Sequence, residues 1–235
     1  MKKLDLKNVK PITVGKAEKY KDSLIQHVFD CIGTTNKCYA EVGAGDGINN
    51  STVWYLREHC GWHGILLDMA FSNSNINLYQ IELTKDNICP IFKQYHMPKM
   101  FDLLSIDLDS NDYWILAELL KEYKPRVIIA ETNVRFNTYE KLARKYEQPY
   151  GNNNSNGWWG TSPYCYKLLG EKYGYTAVYI NADDIFLIQS DCLHPDDRNI
   201  PWESVHPCPN FEPYELAGWY DRNYETNNWI IPSDL

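Results

Sequence analysis

The sequence predicts an α/β domain in which a mostly parallel sheet carries helices on both faces and ends in an antiparallel hairpin. Three observations predict it. Short apolar runs of strand length alternate with segments of helical periodicity. Several of those runs end in an acidic residue or break into a glycine loop, as strands do beside a ligand crevice. The last two runs, YTAVYIN and IFLIQS, are separated only by ADD, which suits a hairpin turn.

Residues 16–32 place Tyr20, Leu24, Ile25, Val28 and Phe29 at helical spacing, with Gly33 as a stop, and predict an amphipathic helix. CYAEV then reads as a buried strand that opens into a glycine loop, followed by a helix from Ser51 to the stop at Gly61. GILLDM is a second buried strand, and FSNSNINLYQIEL contains a polar loop and a short third strand. Residues 101–109 form a fourth strand, after which Asn111 or Asp112 caps a helix that Pro125 stops. PRVIIAETN is a fifth strand with an acid and an amide at its carboxyl end. Residues 137–161 read as a long polar loop with one helical turn around 141–145, and loops of this length are usually functional. Ser162 and Pro163 form a good N-cap and first-turn pair for the helix that Gly174 ends.

The chain has 235 residues, enough for one large α/β domain with a full core. Its 23 basic against 31 acidic residues give a net charge of −8, which disfavours wrapping a polyanion such as duplex DNA. No run approaches the roughly 18 apolar residues of a membrane span, and the amino-terminal MKKLDLKNVK lacks the apolar stretch of a signal peptide, so a cytoplasmic location is expected. The seven cysteines are scattered without a CxxC pair and read mainly as buried thiols. The six histidines show no metal-ligand spacing. Expected partners are a small-molecule or saccharide acceptor, with a homo-oligomer compatible with the chain, and neither nucleic acid nor membrane.

EVGAGDG follows a strand and precedes a helix, the context in which backbone N–H groups of Gly43, Ala44, Gly45, Asp46 and Gly47 approach a ligand closely. Asp68 ends the next strand about 20 residues later, where an acid can accept ribose hydroxyls of a nucleoside cofactor. The alternative is a tight turn that merely requires positive φ.

The acid of Glu41 ahead of three alternate glycines looks like the first motif of class I S-adenosylmethionine-dependent methyltransferases. NKCYAEVGAGDGINNST, GWHGILLDM, FDLLSIDLDSNDYW, PRVIIAETN and GWWGTSPYCYKLLGEKYGYTAVYIN with IFLI also resemble, in order and spacing, the FkbM-like methyltransferases over roughly residues 20–190. The resemblance implies a Rossmann-like, seven-stranded methyltransferase fold over residues 1–190. Residues 191–235 are rich in Pro, Trp and Asp without periodicity, and their aromatics predict an irregular tail packed on the domain or a partner. The resemblance also implies S-adenosyl-L-methionine as cofactor, held by the loop from Glu41 to Gly47, by Asp68 at the ribose, by Thr84 and Asp86 near the adenine, and by Met69 and Asp107. The chain departs from that family in carrying Asp68 where Glu is commoner and Ser110 where Gly is commoner.

Asp107, Asp109, Glu131 and Asn133 should converge beyond the carboxyl ends of the fourth and fifth strands, with Asp107 and Asp109 on one strand face. Asp107 is the first candidate for the base that accepts a hydroxyl proton, and Glu131 the second. Crowded carboxylates must be protonated, solvated or bridged, so a divalent ion such as magnesium on Asp107, Glu131 and Asn133 is one reading. In the other, Asp109, Asn111 and Asp112 cap the helix while Asp107 holds the cofactor amino group. Asp109, Asn133, Tyr150, Trp158 and Trp159 are candidate acceptor contacts, the aromatics beside the Asn cluster resembling a carbohydrate-contacting loop. The activity expected is O-methylation of a sugar or sugar-linked polar acceptor, in surface polysaccharide biosynthesis. Alternatives are an N-methyltransferase, a methyltransferase for another small polar or phosphate-type metabolite, and a non-catalytic nucleoside-binding module. DLDSNDYW lacks the proline of the PPY-type motif common in enzymes that methylate adenine or glutamine nitrogen.

Overall fold

The computed structural model describes residues 2–146, 160–206 and 229–233. Its main sheet has seven strands: β1 (Cys38–Val42), β2 (His63–Asp68), β3 (Leu78–Gln80), β4 (Met100–Ile106), β5 (Lys124–Glu131), β7 (Tyr175–Asn181) and β8 (Asp184–Gln189). They lie in the order β3-β2-β1-β4-β5-β8-β7. β1 to β5 are mutually parallel, and β8 runs antiparallel to both β5 and β7. This is the predicted Rossmann-like arrangement with its terminal hairpin. The central strands are buried on both faces, so they read as unbroken apolar runs rather than as alternation.

Two apolar layers flank the sheet. On one side α1 (Lys21–Ile32) and α2 (Trp54–Cys60) pack through Ile25, Val28 and Leu56. On the other, α3 (Ile88–Gln94), α4 (Asp112–Leu119), α5 (Pro163–Lys172) and α6 (Trp202–Val205) pack through Phe92, Leu116, Leu169 and Trp202. At the end of the sheet remote from the strand carboxyl termini, buried Asp102 accepts from the backbone N–H groups of Thr35, Asn36 and Lys37 and from Arg126. Burial alone would raise its pKa, but these donors more than offset that and hold the carboxyl below its ordinary range. The turn into β1 is thereby fixed to β4 and β5.

Several boundaries differ from the sequence expectation, each for a local reason. The first helix starts at Lys21 rather than at residue 16. Ahead of it, Glu18–Tyr20 forms a tight turn with Lys19 and Tyr20 left-handed at φ 52° and 61°. Side-chain bonds draw this segment off a helical path: Asp22 accepts from Ala17 N, and Glu18 accepts from Asn50 Nδ2. Helix α2 starts at Trp54 rather than at Ser51, because Ser51 and Thr52 are committed to Glu41. Helix α3 was not expected; Pro90 sits in its first turn, where a missing N–H is tolerated, and Ile88, Ile91 and Phe92 are buried.

The fourth strand ends at Ile106, not at residue 109. Leu108 N donates to the Asp112 side chain instead of to a neighbouring strand, and Asp109 turns left-handed at φ 60°. The helical turn expected around 141–145 is instead a two-residue strand, β6 (Ala143–Arg144), paired with β9 (Trp229–Ile230). The tail, expected to be irregular, contributes α6 and β9. Trp202 is buried and its Nε1 donates to Thr138 O.

Candidate functional site

The sheet order reverses between β1 and β4, and a crevice opens there beyond the strand carboxyl ends. The glycine loop forms one wall. Gly43, Gly45 and Gly47 have φ of 80°, 55° and 72°, which side-chain-bearing residues rarely adopt. At Gly43 there is also no room: a Cβ would stand 1.6 Å from the carbonyl oxygen of Asp107. Gly43 N and Ala44 N donate to Leu67 O at 2.9 and 3.1 Å, and Asp107 N donates to Val42 O at 2.9 Å. The loop is thus seated on the ends of β2 and β4.

Two acids set the loop from beneath and beside. Glu41 is buried and accepts from Ser51 Oγ at 2.7 Å and Thr52 N at 2.6 Å. Burial pushes its carboxyl up to about 7, against the pull of those two donors. Its oxygens therefore serve the loop rather than stand open. Asp68 accepts from Gly45 N at 2.8 Å with one oxygen and from Ala70 N and Phe71 N at 2.8 and 3.2 Å with the other. It joins the glycine loop to the end of β2, where a ribose acid is expected. Asp46 accepts from Ile48 N and Asn49 N, bonds that hold its carboxyl below the ordinary range.

A cavity of about 240 Å³ lies against this loop, lined among others by Glu18, Lys21, Gly43, Asn49, Ser105 and Asp107. Met69, 57% exposed, stands on the rim beyond Asp68. Thr84 Oγ1 accepts from Asp86 N and Asn87 N, so both candidate adenine contacts belong to the turn that opens α3 beyond β3. A larger groove of about 560 Å³ lies between α5, β7 and α6, and among the described residues none of the expected site residues lines it.

Carboxyl groups converge on the other side of the crevice. Asp107, Asp109 and Glu131 each bring an oxygen within 4.8 Å of the others. Asp107 and Asp109 do not share a strand face; the turn after Ile106 brings Asp109 to Glu131 instead. Asp107 is open to solvent at the crevice floor, yet protein surrounds it on most sides, and its carboxyl is raised to about 6. Desolvation is the main cause, with Asp109 and Asp184 adding to it, while Lys21 and a hydrogen bond with Glu131 act against it. Burial and the charges of Asp107, Asp112 and Asp109 hold Glu131 well above the carboxylate range. Asp107 and Glu131 thus both hold protons more tightly than free carboxyls do, and they titrate as a pair. Asp112 beneath them is buried and raised to about 8, chiefly by desolvation and then by Asp107. Asp112 Oδ2 and Glu131 Oε2 are buried without a hydrogen-bond partner among the described residues.

Asn133, two residues past β5, is fully buried, and its Oδ1 accepts from Arg135 N at 3.2 Å. Tyr150, Trp158 and Trp159 lie outside the described residues. The sequence reading missed Glu18 and Lys21 in the cavity wall, because helical spacing over 16–32 concealed the turn that carries Glu18 there. It also missed Asp184, which pairs with Lys21 at 3.0 Å and stands in register with Glu131. The hairpin turn ADD was the available signal.

No protein-family model matches the chain, and no curated protein matches it. Solved structures of similar arrangement include an O-methyltransferase from Bacillus cereus in complex with SAH, at 16% identity and a TM-score of 0.45 over 75% of this chain and 84% of that one. A SAM-dependent methyltransferase from Aquifex aeolicus is 11% identical at a TM-score of 0.36, over 69% of this chain and 87% of that one. The MycE methyltransferase of the mycinamycin biosynthetic pathway, in complex with Mg and SAH, is 11% identical at a TM-score of 0.42, over 94% of this chain and 56% of that one. The strand order and direction of the sheet themselves define the Rossmann-like fold.

Proposed function

We propose that the chain is an S-adenosylmethionine-dependent O-methyltransferase acting on a small polar acceptor. The observation that carries this reading is the seating of the glycine loop on Asp107, which lines one cavity with that loop and clusters with Glu131 and Asp109. A nucleoside site and a proton-accepting carboxylate would thus adjoin in one crevice. The residues fit the cofactor: a cradle that a Cβ at Gly43 would fill, and an acid, Asp68, at the end of the neighbouring strand.

S-adenosylmethionine, when bound, supplies an electrophilic methyl group on a sulfonium. The chain's residues then have three tasks. Gly43 to Gly47 and Asp68 hold the cofactor, the crevice aligns an acceptor hydroxyl, and Asp107 accepts its proton. A carboxyl raised to about 6 is ionised at neutral pH and is more basic than an ordinary aspartate, which suits it to that step. Glu131, protonated, donates to Asp107 and holds it in place.

A divalent ion such as magnesium is the alternative to that proton, which it would displace. Asp107, Asp109 and Glu131 offer hard oxygens, and among the described residues Glu131 Oε2 has no hydrogen-bond partner. Asn133, expected as a ligand from sequence, already spends its Oδ1 on Arg135 N, so Asp109 is the better third ligand in this proposal. A sugar or sugar-linked acceptor, with a role in polysaccharide synthesis, is the finer form of the proposal and rests on Tyr150, Trp158 and Trp159 as sequence-predicted contacts.

The test is formation of S-adenosylhomocysteine with a panel of monosaccharides and nucleotide sugars. Wild type should turn over with at least one, and Asp107→Asn should keep cofactor affinity but lose most turnover. Activity near wild type in that variant would place the base elsewhere. Exhaustive chelation followed by magnesium rescue would support the metal, and indifference to chelator would reject it.

A further inference from the structure

The segment before α1 crosses the mouth of the glycine-loop cavity and is fastened on both sides of the crevice. On the loop side, Ala17 bridges Asn50, and Asn50 Nδ2 donates to Glu18 at 2.8 Å. On the hairpin side, Lys19 pairs with Asp183, and Asn181 Nδ2 donates to Lys19 O at 2.8 Å. Between these anchors Lys19 and Tyr20 are both left-handed, a backbone cost that persists only where the surroundings impose it. That geometry turns Glu18 into the cavity wall and starts α1 with Lys21 at its floor.

The cavity they complete carries opposed charges. Among the described residues that line it, Lys21 is the one cation, and Glu18, Glu41 and Asp107 are the acids. Glu41 is taken up by Ser51 and Thr52. Glu18 and Asp107 are both exposed, but Asp107 is engaged with Glu131, whereas Glu18 accepts from Asn50 Nδ2 through one oxygen and keeps the other for a ligand. Lys21 is 6% exposed and reaches Asp184 at 3.0 Å, but an ammonium has three donors and this pair does not exhaust them. A cation and a carboxylate facing one small space are what an α-amino acid zwitterion requires, since each of its charges must find an opposite charge when desolvated.

We propose that Glu18 and Lys21 recognise the amino-acid end of the cofactor, Glu18 taking the α-ammonium and Lys21 the α-carboxylate, so that the amino-terminal segment completes the cofactor site. This rests on the nucleoside reading given above. It makes the segment a determinant of specificity: a ligand with the same nucleoside but no amino-acid group gains nothing from it.

The test compares two ligands by calorimetry. S-adenosylhomocysteine carries the zwitterion; 5′-methylthioadenosine keeps the nucleoside and thioether and lacks it. Wild type should bind the former more tightly. In Glu18→Gln its affinity should fall about tenfold or more, while that of methylthioadenosine stays within about twofold. Removing Lys21 alone would strand the Asp184 charge, so the second variant is Lys21→Met with Asp184→Asn, for which the same selective loss is expected. If that variant does not fold, Glu18→Gln decides alone. An unchanged ratio of the two affinities in a folded variant, or an equal loss for both ligands, would overturn the proposal and leave the nucleoside reading standing. A wild type that binds both equally would do the same. A wild type that binds neither would overturn both.

Discussion

The backbone of Gly43 lies against the carbonyl of Asp107 so closely that a Cβ on the glycine would stand 1.6 Å from that oxygen. The glycine loop and the backbone of the proposed base are therefore packed against each other. Gly43→Ala should be unable to keep this geometry, because the clash is with backbone and φ is 80°. We expect a loss of at least about 2 kcal/mol in stability, read as a lower Tm, together with loss of S-adenosylhomocysteine binding. Gly45→Ala meets no atom within 4 Å and should be milder. Equal effects of the two would show that strain alone, and not the contact with Asp107, matters.

The acid cluster makes a prediction about pH. Burial raises Glu41 from 4.5 to about 7, and burial with the charge of Asp107 raises Asp112 from 3.8 to about 8. Both groups hold protons more tightly folded than unfolded. Their contribution to stability is fully present below the ordinary carboxylate range and is lost as pH rises through about 7 and then 8. Asp102, held low, works the other way and loses its contribution only in acid. The Tm should thus fall between pH 6 and pH 9 by about 3 °C or more, and Asp112→Asn should flatten that fall. A Tm that rises over this range would contradict the assignment. Turnover should show an acid limb near pH 6, where Asp107 becomes protonated.

Much of this site could be read from sequence, because its main parts sit at strand ends. β1, β4 and β5 are buried on both faces and show as apolar runs, and the residues that end or follow them, Gly43, Asp107 and Glu131, then fall at the crevice by topology alone. What could not be read depends on side chains meeting across the chain. Period-two spacing puts Asp107 and Asp109 on one strand face, but the bond from Leu108 N to Asp112 ends the strand early, and a turn rather than a pleat brings Asp109 to Glu131. Glu18 reaches the cavity only because Asn50 and Asp183, far away in sequence, hold its segment off the helix. The two-residue pairing of Ala143–Arg144 with Trp229–Ile230 is likewise too short to leave a pattern.

The acceptor loop remains a sequence-based proposal over residues 137–161. Replacing Trp158 or Trp159 by Ala should weaken kcat/KM for the acceptor by about 1–3 kcal/mol and leave cofactor affinity nearly unchanged. A parallel collapse of cofactor binding and Tm would identify the tryptophans as core, and the saccharide reading would lose its local support.

The most direct test of the central claim is calorimetric titration of the wild-type chain and of Asp68→Ala with S-adenosylhomocysteine, with NAD as the control nucleotide. Asp68 joins Gly45 N to the end of β2, at the point where the ribose hydroxyls should lie. We predict that wild type binds S-adenosylhomocysteine and not NAD, and that Asp68→Ala weakens binding by about 1.5–3 kcal/mol, roughly ten- to a hundredfold. Unchanged affinity in the variant would contradict the ribose assignment, and binding of NAD without S-adenosylhomocysteine would contradict the account as a whole.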